Sequence, residues 1–252
     1  MTVPYIEKSI KEIYTKLSID HAIEFMGVFL SIILAFWLQN WSEDIKDREK
    51  ETIYMENLYS DLVTDYNGLE RRISEYDRKL KSVEKIMQII SVRGKKNTDS
   101  ILYLVNKELT YNHFYTPHNH TYESLKYNGD LQLITNSNFK ILLSELDVSY
   151  RTTITHGNFF LDYTNSPMWS GFLLDHLDYM KKADLDDKFF NIHFYNRLTR
   201  LYRFIENYYY AMQGTLKKID QVRLEAEQEM GNLGIDYKKP EIEENIFLKV
   251  TN

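Results

Sequence analysis

Phe25-Met-Gly-Val-Phe-Leu-Ser-Ile-Ile-Leu-Ala-Phe-Trp-Leu38 runs for fourteen residues without a charge, extended by Ala22-Ile23 on one side and by Gln39-Asn40-Trp41 on the other. As a helix, residues 21–41 measure about 31 Å at ~1.5 Å per residue, the thickness of a hydrocarbon core, and Trp37 and Trp41 fall near one interface. The stretch predicts one transmembrane helix. A buried or interfacial helix is the competing reading, because the strictly apolar run is shorter than the usual ~18 residues and Glu24 lies inside the span. A cleaved signal peptide does not fit, since twenty residues precede the span and only Trp41-Ser-Glu-Asp44 follows it, with no small-residue cleavage site.

Working outward, residues 1–20 carry Pro4 at a first helical turn and Ile6, Ile10, Ile13 and Leu17 at helical spacing, with Lys8, Lys11 and Lys16 between them. They read as an amphipathic helix lying on the membrane surface. Lys46, Arg48 and Lys50 beyond the span balance the three lysines before it, so charge asymmetry fixes the orientation poorly. From Ser42 to about Val92 no proline occurs. Leu62, Tyr66, Leu69, Ile73, Tyr76, Leu80, Val83, Met87 and Ile90 there recur at alternating steps of four and three, a heptad seam. Gly94-Lys-Lys-Asn97 breaks it. A second long helix is written between about Asp187 and Gly231 by Phe194, Leu198, Leu201, Ile205, Tyr208, Met212, Leu216 and Ile219, and the two are expected to pack antiparallel. Asp99–Leu109 and Ser137 to about Thr164 predict further helices, the latter ended by Asn165-Ser-Pro167. Tyr111–Gly129 between them reads as a polar, aromatic loop. The last segment, 235–252, contains Lys238-Lys-Pro240 and reads as a surface tail.

Composition agrees with long helices. Nine Gly and four Pro in 252 residues are too few turn-formers for a sandwich, barrel or doubly wound sheet, and 20 Tyr and 13 Phe supply ample core material. A net charge of −6 argues against a broadly basic nucleic-acid-binding surface, and DNA is not an expected partner. The absence of Cys excludes disulfides, thiol catalysis and thiolate metal sites. No G-x-G-x-x-G, G-x4-G-K, G-x-S-x-G or H-E-x-x-H occurs, so no cofactor is expected.

Three constellations could carry chemistry. Within the span, Glu24, Gly27, Ser31, Ala35 and Gln39 fall on one side of the helix, a polar and small-residue stripe on an otherwise apolar cylinder. Such a stripe permits close helix approach and reads as a seam between copies, either lining a pore or conducting nothing. His113, His118 and His120 form an H-x4-H-x-H cluster without a carboxylate at matching spacing; the expectation is packing and hydrogen bonding rather than a metal site. Arg151-Thr-Thr-Ile-Thr-His156 is an R-x4-H pair, the spacing used by helical ribonucleases of the HEPN type. In that family the Arg stabilises charge on phosphate and the His moves a proton, while a dimer brings two pairs together over RNA. Thr152 departs from the polar Asn, Asp or His that usually follows the Arg. A structural Arg in an ion pair and a His near Gly157 and Asn158 explain the spacing equally well. Arg197, Arg200 and Arg203, at i, i+3 and i+6, could offer RNA a basic patch but read better as a solvated helix face.

Two strings, Glu24-Phe-Met-Gly-Val-Phe-Leu-Ser-Ile-Ile-Leu-Ala-Phe-Trp-Leu-Gln-Asn-Trp-Ser-Glu-Asp44 and Thr121-Tyr-Glu-Ser-Leu-Lys-Tyr-Asn-Gly-Asp-Leu-Gln-Leu-Ile134, resemble a broad, uncharacterised bacterial family of single-span membrane proteins. With Arg151 and His156 added, the chain also resembles the membrane accessory proteins encoded beside RNA-guided, RNA-targeting effectors in type VI-B CRISPR loci. That resemblance implies a divergent HEPN-like bundle that assembles through its spans into a ring-shaped pore in the inner membrane. It also implies a gain in antiviral defence after the effector recognises RNA, and so partners in the lipid bilayer, in further copies of the chain and in the effector or its RNA. The combined expectation is all-α: residues 1–20 an amphipathic helix, 21–41 a transmembrane helix, 42–234 a cytosolic bundle and 235–252 a tail. A membrane-tethered ribonuclease and a non-conducting scaffold are the alternatives.

Overall fold

The computed structural model describes residues 3–92, 98–176 and 191–237, with side chains from His21 onward except that of Ala22. The break at Gly94-Lys-Lys-Asn97, the helix start at Asp187, Lys238-Lys-Pro240 with the rest of the tail, and the side chains of the amphipathic N-terminal stretch lie outside the described residues. All regular elements among the described residues are helical. The chain forms two compact units, Met1–Glu51 and Thr52–Asn252.

Helix α1 runs from Val3 to Ser91, 89 residues without interruption. Between Pro4 and Gly94 the sequence holds no proline, and its two glycines, Gly27 and Gly68, are tolerated inside a helix at about 1 kcal/mol each relative to alanine. The part of α1 in the first unit exposes its apolar residues from Ile23 to Trp41. It contains the one helix among the described residues that is long and apolar enough to cross a membrane, with a mean hydropathy of 1.6 in its best window.

In the second unit α1 continues beside α2 (Thr98–Leu104, prolonged by a π-helical turn Val105–Leu109), α3 (His120–Asn128), α4 (Ser137–Asn165), the short α5 (Phe172–His176, entered through the π-turn Pro167–Gly171) and α6 (Ile192–Asn232). The heptad residues face inward as the spacing predicts: Leu62, Leu69, Ile73, Tyr76, Val83 and Ile90 of α1 are buried, as are Phe194, Leu198, Leu201, Ile205, Tyr208, Met212 and Ile219 of α6. The two helices are antiparallel. Tyr59 donates to Glu227 at 2.6 Å, Tyr76 meets Tyr208 edge-on, and Tyr202 donates to Glu84 at 2.9 Å, so rising numbers on α1 meet falling numbers on α6. Helix α4 is antiparallel to α6 as well, since Asn136 reaches Glu229, Ser149 reaches Thr215 and Tyr163 reaches the Arg197 carbonyl.

The three helices meet in an aromatic knot. Tyr76 contacts Phe160 at 5.6 Å and Tyr208 at 4.8 Å, both edge-to-face, the arrangement ring quadrupoles favour. Gly157 lets α4 approach: a Cβ there would stand 3.2 Å from the Tyr208 ring. Helix α4 ends where Ser166, held extended by the following proline, leaves αR geometry at φ −72, ψ 156.

The structure corrects one expectation. Tyr111–Gly129 is not loop throughout, because its second half is α3. Nine residues are too few to show a period, yet Tyr122 and Leu125 bury at i, i+3 and Gly129 ends the helix at φ 76, the left-handed geometry that favours glycine. Substituting Gly157 by Leu should force α4 off Tyr208 and lower the unfolding free energy by about 1–3 kcal/mol, read by chemical denaturation, whereas Gly214→Ala, with open space around it, should not destabilise.

Candidate functional site

The stripe of the span is bonded along its own helix. His21 Nδ1 lies 3.4 Å from Glu24 Oε2, Ser31 Oγ donates to the Gly27 carbonyl at 2.7 Å, and Gln39 Nε2 donates to Glu43 Oε1 at 3.1 Å. Nothing lies within 4 Å of where a Gly27 side chain would begin. Elsewhere on the cylinder Phe25 stacks on Phe29 and Trp37 on Trp41. The candidate span thus carries a low strip of small residues, Gly27, Ser31 and Ala35, along one side of the helix.

Arg151 and His156 both sit inside α4, five residues and so about 140° apart around the helix. They leave it on different sides. The Arg151 guanidinium, largely exposed, pairs with Asp147, 3.2 Å from Oδ2, and the same oxygen takes Lys126 Nζ at 3.2 Å. His156, half-buried, meets the Phe159 ring edge-on and makes no hydrogen bond or ion pair among the described residues. Within one chain the pair does not converge, and its Arg belongs to a clasp between α3 and α4. Of the other arginines weighed for RNA, Arg197 donates to the Met168 carbonyl and lies 4.4 Å over Phe172, and Arg200 lies over Tyr163 and Phe204. Arg200 and Arg203 remain exposed, as a solvated helix face requires, while the ring and carbonyl contacts hold Arg197 and Arg200 against their neighbours.

The three loop histidines do not assemble a cation site; among the described residues no group of His, Asp and Glu could hold a metal. His113 pairs with Glu75 at 3.1 Å, and His118 Nδ1 lies 3.3 Å from Asp65. Both serve to tie the strap 111–119 to α1. More ties come from the backbone: Lys79 donates to the Glu108 and Tyr111 carbonyls, Tyr76 donates to the His113 carbonyl, and the Thr121 amide donates to Asp61. Burial pushes the Lys79 ammonium below its ordinary value, against the pull of Glu75 and Glu108. Asp65, 1 % exposed, is the most enclosed carboxylate among the described residues; it accepts from the Tyr150 hydroxyl and from the His118 amide. Burial outweighs these bonds and raises its carboxyl above the ordinary 3.8.

A family model described as a family of unknown function (DUF6090) matches residues 24–194, more than half of the chain. The chain belongs to this family. No curated protein and no solved structure matches it. The DUF6090 match begins at Glu24 and closes at Phe194, so it takes in the stripe, the strap, α3 and the Arg151/His156 pair. It establishes the broad family and carries no link to HEPN ribonucleases or to CRISPR loci.

Sequence reasoning missed Asp61, Asp65, Lys79 and Tyr150, the residues that organise the DUF6090 helical domain. A signal was present. Asp65 lies three residues after Leu62 and four before Leu69, a seam position where a charge has to be satisfied or pay for burial. Asp65→Ala strands two donors and should cost about 1–3 kcal/mol for each. For the wild type, a raised folded-state pKa means that the folded chain holds the proton longer. The stabilisation from this group is therefore complete below the ordinary 3.8 and is lost as pH rises through the folded-state value. Asp65→Asn, neutral throughout, should accordingly show its largest deficit against wild type near pH ~4 and a smaller one near pH ~7, read as urea midpoints.

Proposed function

We propose that this DUF6090 protein is a single-span protein of the bacterial inner membrane whose spans pack on one another through Gly27, Ser31 and Ala35, and that the assembled spans permeabilise the bilayer. The observation that supports it is the low strip of the span: Gly27 opens onto free space and Ser31 folds its hydroxyl onto the Gly27 carbonyl. In lipid, where helices gain nothing from leaving one apolar medium for another, such close backbone approach is a main source of association. Glu24 and Gln39 lie on the same side of the helix, about 22 Å apart along its axis, which suits polar groups at the two ends of a hydrocarbon core. On the resemblance to type VI-B accessory proteins, the helical domain is cytosolic and permeabilisation follows recognition of foreign RNA by an RNA-guided effector.

A second reading, the non-conducting scaffold, has an observation of its own. Glu24 and Gln39 already have partners on their own helix, so neither requires a wet lumen. Release of an encapsulated dye from liposomes separates the two. Wild-type protein should release the dye, and Ser31→Leu, which fills the strip, should cut release at least about tenfold and shrink the oligomer in detergent. A wild-type oligomer that inserts and releases nothing, with or without the effector, would leave the scaffold in possession.

The ribonuclease reading is weighed down by the ion pair of Arg151 with Asp147. Purified protein should accordingly not cleave RNA. Cleavage that disappears in His156→Ala would replace the pore with a membrane-tethered nuclease.

A further inference from the structure

Where the strap passes α1, the helix carries Gly68, in a position unfavourable to glycine relative to alanine. A Cβ built there meets nothing within 4 Å, so no neighbour demands the small residue. What the glycine leaves is room. It opens on a cleft of about 440 Å³ with Gly68, Arg71 and Arg72 on the α1 side and Phe114, Thr116 and His118 on the strap side, in the size range of small-ligand sites.

The polar groups of this cleft are unevenly satisfied. Arg71 is exposed and has no ion pair or hydrogen bond among the described residues, while Arg72 holds Glu75 at 2.8 Å. The carboxylate in the floor, Asp65, is already engaged by Tyr150 and by the His118 amide. Beside it the Tyr115 hydroxyl is buried next to Asp65 and Tyr150. The cleft therefore offers two adjacent guanidiniums, one of them unpaired, and an aromatic wall at Phe114.

We propose that this cleft binds the phosphate group of a small phosphorylated molecule, with Arg71 as its principal cation. A phosphomonoester brings up to two negative charges and three acceptor oxygens, which suits the forked donors of neighbouring arginines better than the single charge of a carboxylate. Gly68 is the residue that keeps the entrance open. The proposal concerns the helical domain and is independent of whether the spans conduct.

Calorimetric titration of the full chain in detergent tests it, with inorganic phosphate and AMP as soluble probes and nanodiscs carrying phosphatidic acid as the lipid source of the same group. Wild type should bind at least one probe. Arg71→Gln and Gly68→Leu should each weaken that binding about tenfold or more, the first by removing the cation and the second by filling the cleft. Their circular dichroism and melting temperatures should match or exceed wild type, because leucine replaces glycine inside a helix facing open space. Soluble and nanodisc arms tell a free metabolite from a headgroup. No binding of any probe, or binding indifferent to both substitutions, overturns the proposal.

Discussion

Asp65 is a carboxylate placed inside a hydrophobic seam, and the helical domain is arranged around the need to satisfy it. A buried charge is tolerated only with hydrogen bonds to both oxygens, and here one oxygen takes the Tyr150 hydroxyl from α4 while the other takes the His118 amide from the strap. A single side chain of α1 thereby fixes the register of α4 and the path of nine residues that have no regular structure of their own. Lys79 performs the converse task fourteen residues further along the same helix. Its ammonium, 2 % exposed, gathers the Glu108 and Tyr111 carbonyls where the turn after α2 leaves them without helical partners.

Helix α6 completes the arrangement by running against both α1 and α4. The Tyr208 hydroxyl accepts the Tyr115 amide at 2.9 Å, and its ring packs on Tyr76, Phe160 and the space above Gly157. One residue thus joins three helices and the strap. Four tyrosines, Tyr76, Tyr115, Tyr150 and Tyr208, occupy this core, and burial raises the pKa of each. The hydroxyls of Tyr76, Tyr150 and Tyr208 make the bonds that anchor strap and helix, so these three serve at once as apolar filling and as polar fasteners, a use phenylalanine could not serve there.

The long periods were legible in the sequence and the short ones were not. A 4–3 alternation sustained from Leu62 to Ile90, and again from Phe194 to Ile219, declares both the helices and their buried faces. Helix α3 escaped because Tyr122 and Leu125 alone make no period, and its chemistry lies in pairings invisible along the chain: Lys126 with Asp147 and the Thr121 amide with Asp61. For the same reason the R-x4-H spacing could be seen while its meaning could not. Asp147 stands four residues before Arg151, the i, i+4 distance at which charges meet on a helix, and Lys126 arrives from another element to share the carboxylate. The string Thr121–Ile134 that marks the family resemblance thus supplies a fastening between α1, α3 and α4.

The candidate span follows a different logic, since its apolar residues from Ile23 to Trp41 are exposed and enter no core among the described residues. In hydrocarbon an unsatisfied polar group is expensive, and the cheapest partner is one on the same helix, which costs no meeting of two chains. Ser31 with the Gly27 carbonyl, Glu24 with His21 and Gln39 with Glu43 all take that route. A helix so prepared can enter a bilayer as a single copy. The association proposed above would then depend on packing at Gly27, Ser31 and Ala35 instead of on rescuing buried polar atoms, and packing energies of this kind are modest for each contact. On the proposed reading, insertion and assembly are therefore separable steps.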